Sequence, residues 1–269
     1  MKTIPILAWG ASALLSAASV SAALVTGFEP PAYTSGAING QDGWTSTNNA
    51  NAARVLTAAE FSAEVAAASL TPPTQPVHSG AQALFVTGAS ITTNSNTVRT
   101  ISGLTGETLV SLDLWAQPLT LGSSQGNIFL TMEDAAGNRA AAFRFGVVNS
   151  QPTIDYGSAV TGIWVASGTA WSADTWYHLG MEVDYTAKTY DFFINGTQVN
   201  ADPIPFYTAT SANFSQIRIF RGASQTGMIV DDLRVVAGAI PEPAVTAVLF
   251  CSGVLGLRRR RQWDGPRGC

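Results

Sequence analysis

The sequence predicts an all-β protein in which antiparallel strands pack as a sandwich. Charged residues make up only 12% of the chain and 25 residues are glycine, a balance typical of strands and turns rather than of charge-rich helices. Short alternating segments recur between turn residues, and no long amphipathic helix interrupts them. A length of 269 residues accommodates one such domain together with targeting segments.

Two segments show the alternation most clearly. Val110, Leu112 and Leu114 share one side of an extended chain, and Phe143 and Phe145 do the same around polar neighbours. Residues spaced by two lie on one face of a sheet, so both segments are predicted to be half-buried antiparallel strands.

Two hairpins are predicted from turn chemistry. Residues 128–132 alternate before the polar, glycine-containing link 134–138, which leads into the next strand. Residues 190–194 precede the Asn-Gly dipeptide at 195–196, the pair of residues that most readily takes the positive φ values of a tight hairpin.

The remaining segments are assigned by composition. Residues 216–221 and 227–236 are predicted to form the last two strands of the domain. The alanine-rich stretch 50–70 is compatible with a short helix or with a loop. Three prolines make residues 71–76 an extended loop.

The first 23 residues have the layout of a signal peptide. Lys2 precedes the apolar stretch from Ile4 to Leu15, and small residues lead to a cleavage site after Ala22 or Ala23. The apolar run is shorter than the roughly 20 residues that a membrane-spanning helix needs. The chain is therefore expected to be exported through the Sec translocon.

The other end combines a Pro-Glu-Pro motif, an apolar run and an arginine cluster. Prolines form a rigid breakpoint, and the apolar run, counted from residue 239, reaches the length of a transmembrane helix. Arginines stay on the cytoplasmic side and stop transfer, which leaves residues 262–269 as a cytoplasmic tail. The motif is Pro241, Glu242 and Pro243, the apolar run is 244–257, and the cluster is Arg258, Arg259, Arg260 and Arg261.

This layout resembles the PEP-CTERM sorting signal of Gram-negative bacteria, which is also known as an ice-binding protein C-terminal domain. The resemblance implies that residues 239–261 form the signal and that an exosortase recognises Pro241, Glu242 and Pro243. The protein is then expected to be anchored in the inner membrane before processing. Afterwards it is expected at the cell surface or in the extracellular matrix.

Charge separates the predicted exported domain from the tail. Residues 24–238 contain 16 acidic and 8 basic side chains, a net charge of −8. Nucleic acid is disfavoured as a partner because its binding requires a basic footprint. Cys251 and Cys269 lie in or beyond the membrane run, so the exported domain has no thiol for a disulfide or a zinc site.

Several stretches of the domain resemble laminin-G-like and concanavalin A-like jelly rolls. A strand-turn-strand signature covers residues 176–185 and 189–196, and the first strands of the bacterial versions are similar to residues 27–29, 40–44 and 78–84. The resemblance implies a jelly-roll sandwich of two antiparallel sheets, one of which has a concave face that relatives use for carbohydrate.

Exposed aromatic rings are the candidate carbohydrate-binding groups, because their apolar faces stack on sugar rings. Trp115 falls on the polar face of its strand and is the first candidate. Trp164 and Trp171 are the next two, and Trp44 and Tyr207 complete the set of rings considered. A tryptophan in a sandwich is also a common core residue, so core packing remains the alternative for each ring.

A glycoside hydrolase is the enzymatic alternative. Laminarinase-like jelly rolls carry Glu-x-Asp-x-x-Glu on one strand, and Glu182 and Asp184 match the first two acids. Ala187 stands at the third position, although retaining hydrolysis needs two carboxyl groups about 5–5.5 Å apart. The prediction is therefore a protein that is not an enzyme.

Calcium is a candidate cofactor because some laminin-G-like relatives bind it at the rim of the sandwich through oxygen ligands. The candidate ligands are Asp231 and Asp232, with Glu133 and Asp134 as a second pair. Adjacent residues of a regular strand point to opposite faces, so Asp231 and Asp232 are not expected to bind one ion together.

These observations predict a non-catalytic exported protein of the cell envelope or extracellular matrix, associated with exopolysaccharide or with adhesion. A carbohydrate-binding module that uses the concave sheet is the alternative, and a glycoside hydrolase is the least favoured one. The expected partners are the Sec translocon, an exosortase, the membrane through the C-terminal helix, and extracellular polysaccharide.

Overall fold

The computed structural model describes residues 22–87, 94–121, 128–148, 151–159, 163–222 and 226–239. Within these ranges the chain forms two antiparallel sheets that enclose a main hydrophobic core, which confirms the all-β prediction. The predicted sorting motif, its apolar run and the arginine cluster lie outside the described residues, as do residues 1–21 of the predicted signal peptide. No helix within the described ranges has the length and apolar character needed to cross a membrane.

Seventeen strands are present in the described part of the chain. In chain order they are β1 (Ala22–Thr26), β2 (Gly36–Ala37), β3 (Trp44–Thr47), β4 (Ala53–Thr57), β5 (Gln82–Thr87), β6 (Ser95–Thr100), β7 (Leu109–Leu121), β8 (Ile128–Glu133), β9 (Arg139–Val148), β10 (Gln151–Ser158), β11 (Ile163–Ala166), β12 (Tyr177–Asp184), β13 (Thr189–Ile194), β14 (Thr197–Gln198), β15 (Ile204–Pro205), β16 (Gln216–Arg221) and β17 (Thr226–Ala237). The same ranges contain one α-helix, α1 (Ala58–Ala67), and a short 3-10 turn (Ser102–Leu104).

The strands divide between a ten-stranded and a seven-stranded sheet. The ten-stranded sheet has the order β14-β13-β12-β7-β17-β5-β4-β2, with β1 beside β17 and β15 beside β13. The seven-stranded sheet has the order β11-β10-β9-β8-β16-β6-β3. Strands far apart in sequence, such as β7 and β17, are neighbours, which is consistent with a jelly-roll sandwich.

The main core lies between the inner faces of the two sheets. Leu112 and Leu114 of β7 and Phe143 of β9 have no solvent exposure, as the alternation predicted. Burial of each such side chain stabilises the fold by about 1.5–3 kcal/mol. Residues with the opposite parity, such as Trp115 and Arg144, face outward and form the two surfaces of the sandwich.

Helix α1 covers part of the outer face of the ten-stranded sheet. Phe61 and Val65 are fully buried and form a second, smaller core with Phe85 of β5 and Ile229 of β17. Thr57 precedes the helix, and its backbone N–H and hydroxyl both donate to the carboxylate three residues later. The alanine-rich stretch therefore contains a helix, which is one of the two alternatives left open.

Strand β4 in the same stretch was not predicted. Ala53 and Val55 face the main core, whereas Leu56 faces the second core under α1. Because both sides of the strand are buried in apolar surroundings, the alternation that reveals a half-buried strand is absent.

The two predicted hairpins are confirmed. Strands β8 and β9 pair across the link 134–138, and β13 pairs with β14. Asn195 and Gly196 have φ values of 52° and 76°, so both central residues of the second turn take the left-handed conformation. The predicted last two strands correspond to β16 and β17.

The first and last described strands lie side by side. Ala22 of β1 pairs with Val236 of β17. The described chain ends only three residues later, at Ala239. Both ends of the described chain thus lie on the ten-stranded sheet.

Candidate functional site

Trp115 lies on the outer face of the ten-stranded sheet, between two histidines. The His78 ring stacks on it with centroids 3.9 Å apart and planes at 16°, and His178 stacks at 5.2 Å and 27°. His178 belongs to β12, and the backbone N–H of His78 donates to Asp231 of β17. The two imidazoles therefore approach Trp115 from the strands on either side of β7. The two imidazoles thus occupy stacking positions on the half-buried Trp115 ring, where a sugar would have to compete with them.

A β-bulge brings two adjacent acidic side chains together beside this stack. The pairing of β17 with β7 shifts register between Asp231 and Arg234, and Asp232 has a φ of 48°. Both carboxylates then contact the backbone or side chains of residues 78 and 79. The expectation that these side chains point to opposite faces is wrong, because it assumed a regular strand.

All four oxygens of these two carboxylates accept hydrogen bonds. Asp231 Oδ2 accepts from the N–H groups of His78 (3.0 Å) and Ser79 (3.1 Å), and its Oδ1 accepts from Asp232 N–H (2.8 Å). Asp232 Oδ1 accepts from the Ser79 hydroxyl (2.6 Å), and its Oδ2 lies 2.8 Å from His78 Nδ1. Burial raises the pKa of Asp231 to about 7, although these N–H groups act in the opposite direction.

The carboxylates of Asp231 and Asp232 do not fit a calcium site. Calcium takes roughly six to eight oxygen ligands, and these oxygens are already engaged by donors. Of the second pair, Glu133 is paired with arginines, and Asp134 accepts the N–H groups of Ala136 and Asn138. The described ranges contain no cluster of three or more His, Cys, Asp or Glu side chains suited to a metal ion.

Trp171 is a core residue. Its exposed fraction is 7%, and its indole N–H donates to the carbonyl of Gly146 at 2.8 Å. The ring packs edge-on against Phe145 with centroids 6.1 Å apart. The interpretation of Trp171 as an exposed carbohydrate platform is therefore wrong, because its faces belong to the interior.

Glu182 and Asp184 lie on the same side of β12. Asp184 Oδ1 accepts the N–H groups of Thr186 and Ala187, both at 2.8 Å, and so closes the turn before β13. Glu182 stands opposite Asp191 of β13 in the sheet. Asp184 thus has a structural role in the turn.

The outer face of the seven-stranded sheet carries a continuous aromatic surface. Phe129 of β8 stacks on Phe220 of β16 with centroids 4.5 Å apart, and Trp164 of β11 lies 5.4 Å from Phe129. Tyr207, from the loop before β16, contacts Trp164 at 5.9 Å. All four rings are partly exposed. Of the three candidate tryptophans, Trp164 is the one that belongs to this surface.

Two arginines are inserted among these rings. The guanidinium carbon of Arg139 lies 5.0 Å from the Phe129 centroid and 5.3 Å from that of Tyr207. The corresponding carbon of Arg144 lies 4.6 Å from the Trp164 centroid. Such cation–π contacts contribute about 0.5–1 kcal/mol each at exposed sites, and they restrict both guanidinium groups to the ring surface.

Two buried carboxylates hold the arginines. Arg144 Nε lies 2.9 Å from Asp155, and Arg218 Nε lies 2.8 Å from Glu133, which is also 3.7 Å from Arg139 Nε. The two acidic side chains have no solvent exposure, whereas the three arginine side chains are 12–29% exposed. Cationic groups are therefore presented to solvent above the anionic ones. The set Phe129, Arg139, Arg144, Trp164, Tyr207, Arg218 and Phe220 is called the aromatic-arginine face.

Two glycines make room for this arrangement. A Cβ atom on Gly146 would lie 2.0 Å from Asp155 Oδ2, and one on Gly157 would lie 2.4 Å from Tyr207 Cδ2. Both distances are too short for any side chain. Glycine within a strand often marks such a close approach, and here it allows Asp155 and Tyr207 to lie against the sheet.

Most of this face escapes sequence reasoning. Phe129, Phe220 and Arg139 occupy outward positions of strands, but an isolated aromatic residue on the outer side of a strand is common. Their convergence depends on β8 lying between β9 and β16, which alternation alone does not specify. Gly146 and Gly157, near the ends of strands β9 and β10, are the signal that points to this surface.

Comparison with known families gives one match, and it covers more than half of the chain. The model described as "Concanavalin A-like lectin/glucanases superfamily", Laminin_G_3, matches residues 86–246. The matched range contains the strand-turn-strand signature and every residue of the aromatic-arginine face. No curated protein matches the chain.

Solved structures that resemble this chain include proteins of several kinds. A conserved carbohydrate esterase from Shiga toxin-encoding bacteriophage phi24B has a TM-score of 0.52 at 15% identity, covering 82% of this chain and 100% of that one. Cellulose induced protein, Cip1, has a TM-score of 0.46 at 14% identity, covering 64% and 86%. A sialidase has a TM-score of 0.47 at 9% identity over 62% of this chain, which spans 16% of the sialidase. At these identities the likeness concerns the fold.

Proposed function

Because the chain belongs to the concanavalin A-like lectin/glucanase superfamily, we propose that it is a non-catalytic carbohydrate-binding protein that is exported from the cell. The proposed binding site is the aromatic-arginine face of the seven-stranded sheet. The observation that carries the proposal is the joined surface of four partly exposed rings and the arginine side chains held among them.

The chemistry of this face suits a sugar chain. Aromatic rings offer apolar surface to the C–H faces of pyranose rings, and guanidinium N–H groups donate to the hydroxyl oxygens between those faces. The cation–π contacts of Arg139 and Arg144, and the salt bridges to Asp155 and Glu133, fix the donors before any ligand arrives. Pre-organised groups lose little entropy on binding.

Export and sorting form the second part of the proposal and are supported by the sequence. The signal peptide directs the chain to the Sec translocon, and Pro241, Glu242 and Pro243 mark the tail for an exosortase. The apolar run anchors the protein in the inner membrane until it is processed. The domain then acts at the surface or in the extracellular matrix of a Gram-negative bacterium, where polysaccharide is available as a ligand.

Binding to polysaccharide tests the proposed face directly. Full-length protein in detergent is incubated with a panel of immobilised neutral and acidic polysaccharides, and the bound fraction is measured against protein concentration. Replacing Trp164 with Ala is expected to weaken binding by about tenfold, because truncating a central aromatic anchor commonly costs more than 1 kcal/mol.

Trp115→Ala is the matched control, because it removes the same type of side chain from the opposite sheet. It is expected to leave affinity unchanged. Thermal melting of both variants separates loss of binding from loss of folding. Binding that disappears in folded Trp115→Ala and persists in folded Trp164→Ala contradicts the proposed site, and a folded wild-type protein that binds no member of the panel contradicts the function.

A further inference from the structure

We infer, on the basis of the proposed function, that the ligand is an anionic polysaccharide. In this inference the guanidinium groups of Arg139, Arg144 and Arg218 bind carboxylate or sulfate groups along the polymer. The rings of the aromatic-arginine face hold its sugar units.

The distribution of charge is the first argument. The predicted exported domain has 16 acidic but only 8 basic side chains, and three of those eight are the arginines of this one face. Their acidic partners, Glu133 and Asp155, are 0% exposed. A polymer that approaches the seven-stranded sheet therefore meets cationic groups, although the domain as a whole is acidic.

The geometry of the salt bridges is the second argument. Asp155 engages Arg144 through Nε, and Glu133 engages Arg218 through Nε. Each arginine carries five N–H donors, so these contacts leave the terminal nitrogens for a ligand. A planar guanidinium group with its Nε fixed from below is suited to bidentate binding of a carboxylate or sulfate.

The opposite sheet supplies the third argument. The outer face of the ten-stranded sheet carries Asp113, Glu182 and Asp191 on neighbouring strands. Arg234 of β17 stands opposite Asp113, and His178 lies 3.7 Å from the same carboxylate, so charges of both signs share that face. The aromatic-arginine face differs because its three cations stand above buried carboxylates, and we expect an anionic polymer to prefer it.

Arg139 is the best residue to replace. Its Nε lies 3.7 Å from Glu133, whereas Arg218 Nε lies 2.8 Å from the same carboxylate. Arg139→Gln therefore leaves Glu133 with a close cationic partner, so the buried carboxylate stays paired. Substitution of Arg144 by Gln would instead leave Asp155 buried without a cation, so Arg144→Lys, which keeps the charge, is the second variant.

The probes are polygalacturonate for carboxylate, dextran sulfate for sulfate, and dextran as a neutral polymer. Full-length protein is titrated with each, at low and at high salt. Wild-type protein is expected to prefer the acidic polymers and to lose that preference at high salt, because salt screens exposed charges. Arg139→Gln is expected to weaken acidic-polymer binding about tenfold, because it removes a charge-assisted hydrogen bond to the polymer.

Two further variants complete the experiment. Arg144→Lys keeps the charge but loses the planar fork, and it is expected to weaken binding of the acidic polymers more than binding of dextran. Arg234→Gln removes a cation from the ten-stranded sheet and is expected to change binding of neither the acidic polymers nor dextran. If only one of the two acidic polymers binds, the result identifies carboxylate or sulfate as the recognised group and supports the inference.

Three results overturn the inference: equal affinity for dextran and both acidic polymers, no effect of Arg139→Gln, or no binding of either acidic polymer. The proposed function is judged separately, by Trp164→Ala. If Trp164→Ala abolishes binding of the neutral polymer while Arg139→Gln has no effect on any polymer, the site is correct and its anion preference is wrong. If neither variant affects binding, both proposals fail.

Discussion

Asp231 shows how the surroundings of one residue decide its chemistry. Its carboxylate is buried beneath His78 and Ser79, and burial raises its pKa to about 7. The unfolded chain exposes the same carboxyl group, whose ordinary pKa is about 4. The folded state therefore binds a proton more tightly than the unfolded state, so this group favours folding at low pH and the advantage is lost as pH rises from about 4 to about 7.

Removing this group should flatten part of the pH dependence of stability. Between about pH 5 and pH 7.5, the free energy of unfolding of Asp231→Asn should fall by about 2 kcal/mol less than that of the wild type. Urea denaturation at several pH values measures the difference. Asp202→Asn, on an exposed loop, should keep the wild-type slope, and an unchanged slope in Asp231→Asn would falsify the assignment.

At the residue scale, alternation predicted which side of a strand a residue occupies but not what lies beside it. Trp115 faces outward as its parity requires, yet His78 and His178 stack on its ring. Residue 78 is 37 positions away in the sequence and residue 178 is 63 positions away. Contacts of this kind depend on loop placement and strand order, which local sequence does not encode.

The hairpin between β13 and β14 is the element that the sequence specified best. Asn195 and Gly196 both take positive φ values, as the dipeptide predicted. A Cβ atom on Gly196 would meet nothing within 4 Å. Any cost of adding a side chain there therefore comes from the backbone conformation and not from a clash.

Gly196→Ala should lower the free energy of unfolding by about 1 kcal/mol, because alanine is strained in the left-handed region. Chemical denaturation measures this change. Gly103→Ala is the control: its added Cβ would lie 3.6 Å from Ala23 in ordinary contact, so its effect should stay within about 0.5 kcal/mol. Equal effects of the two substitutions would contradict the explanation.

Strands with one solvent-exposed face and one buried face were predictable from the sequence, and irregular strands were not. β7 and β9 alternate along their length and were located by that pattern. β4 buries apolar residues on both of its sides, and the bulge at Asp232 breaks the parity of β17, so neither follows the two-residue period. In these two strands, burial of both sides and irregular backbone geometry remove the alternation by which a strand is recognised in a sequence.

At the scale of the whole molecule, we propose that the tail determines where the domain acts. In the native host, processing is expected to release the tail near Pro243, and replacing Pro241, Glu242 and Pro243 with alanine is expected to retain the protein in the inner membrane. Cell fractionation with mass spectrometry of the mature termini measures both. The control is Gln262→Ala in the predicted cytoplasmic tail, which should be sorted as the wild type is. An intact tail in wild-type protein from the cell surface contradicts the sorting proposal.

The candidate site is a property of the assembled sandwich. Trp164 was predicted as a candidate from its residue type, but the aromatic-arginine face needs β8, β9, β11 and β16 in one sheet and the loop that carries Tyr207. Phe129 and Phe220 are 91 residues apart in the chain and stack at 4.5 Å. No local pattern connects them, so the sequence pointed to the fold and to one ring of the site.

The pairing of β1 with β17 also determines how the domain can be attached to anything else. Because Ala22 lies beside Val236, the described chain enters and leaves at one corner of the ten-stranded sheet. A support coupled directly at Ala22 or at Ala239 therefore holds the domain by the same corner. In a binding assay on a sensor surface, amino-terminal and carboxy-terminal coupling should display the aromatic-arginine face in the same orientation, with the seven-stranded sheet left open to a polymer in both cases.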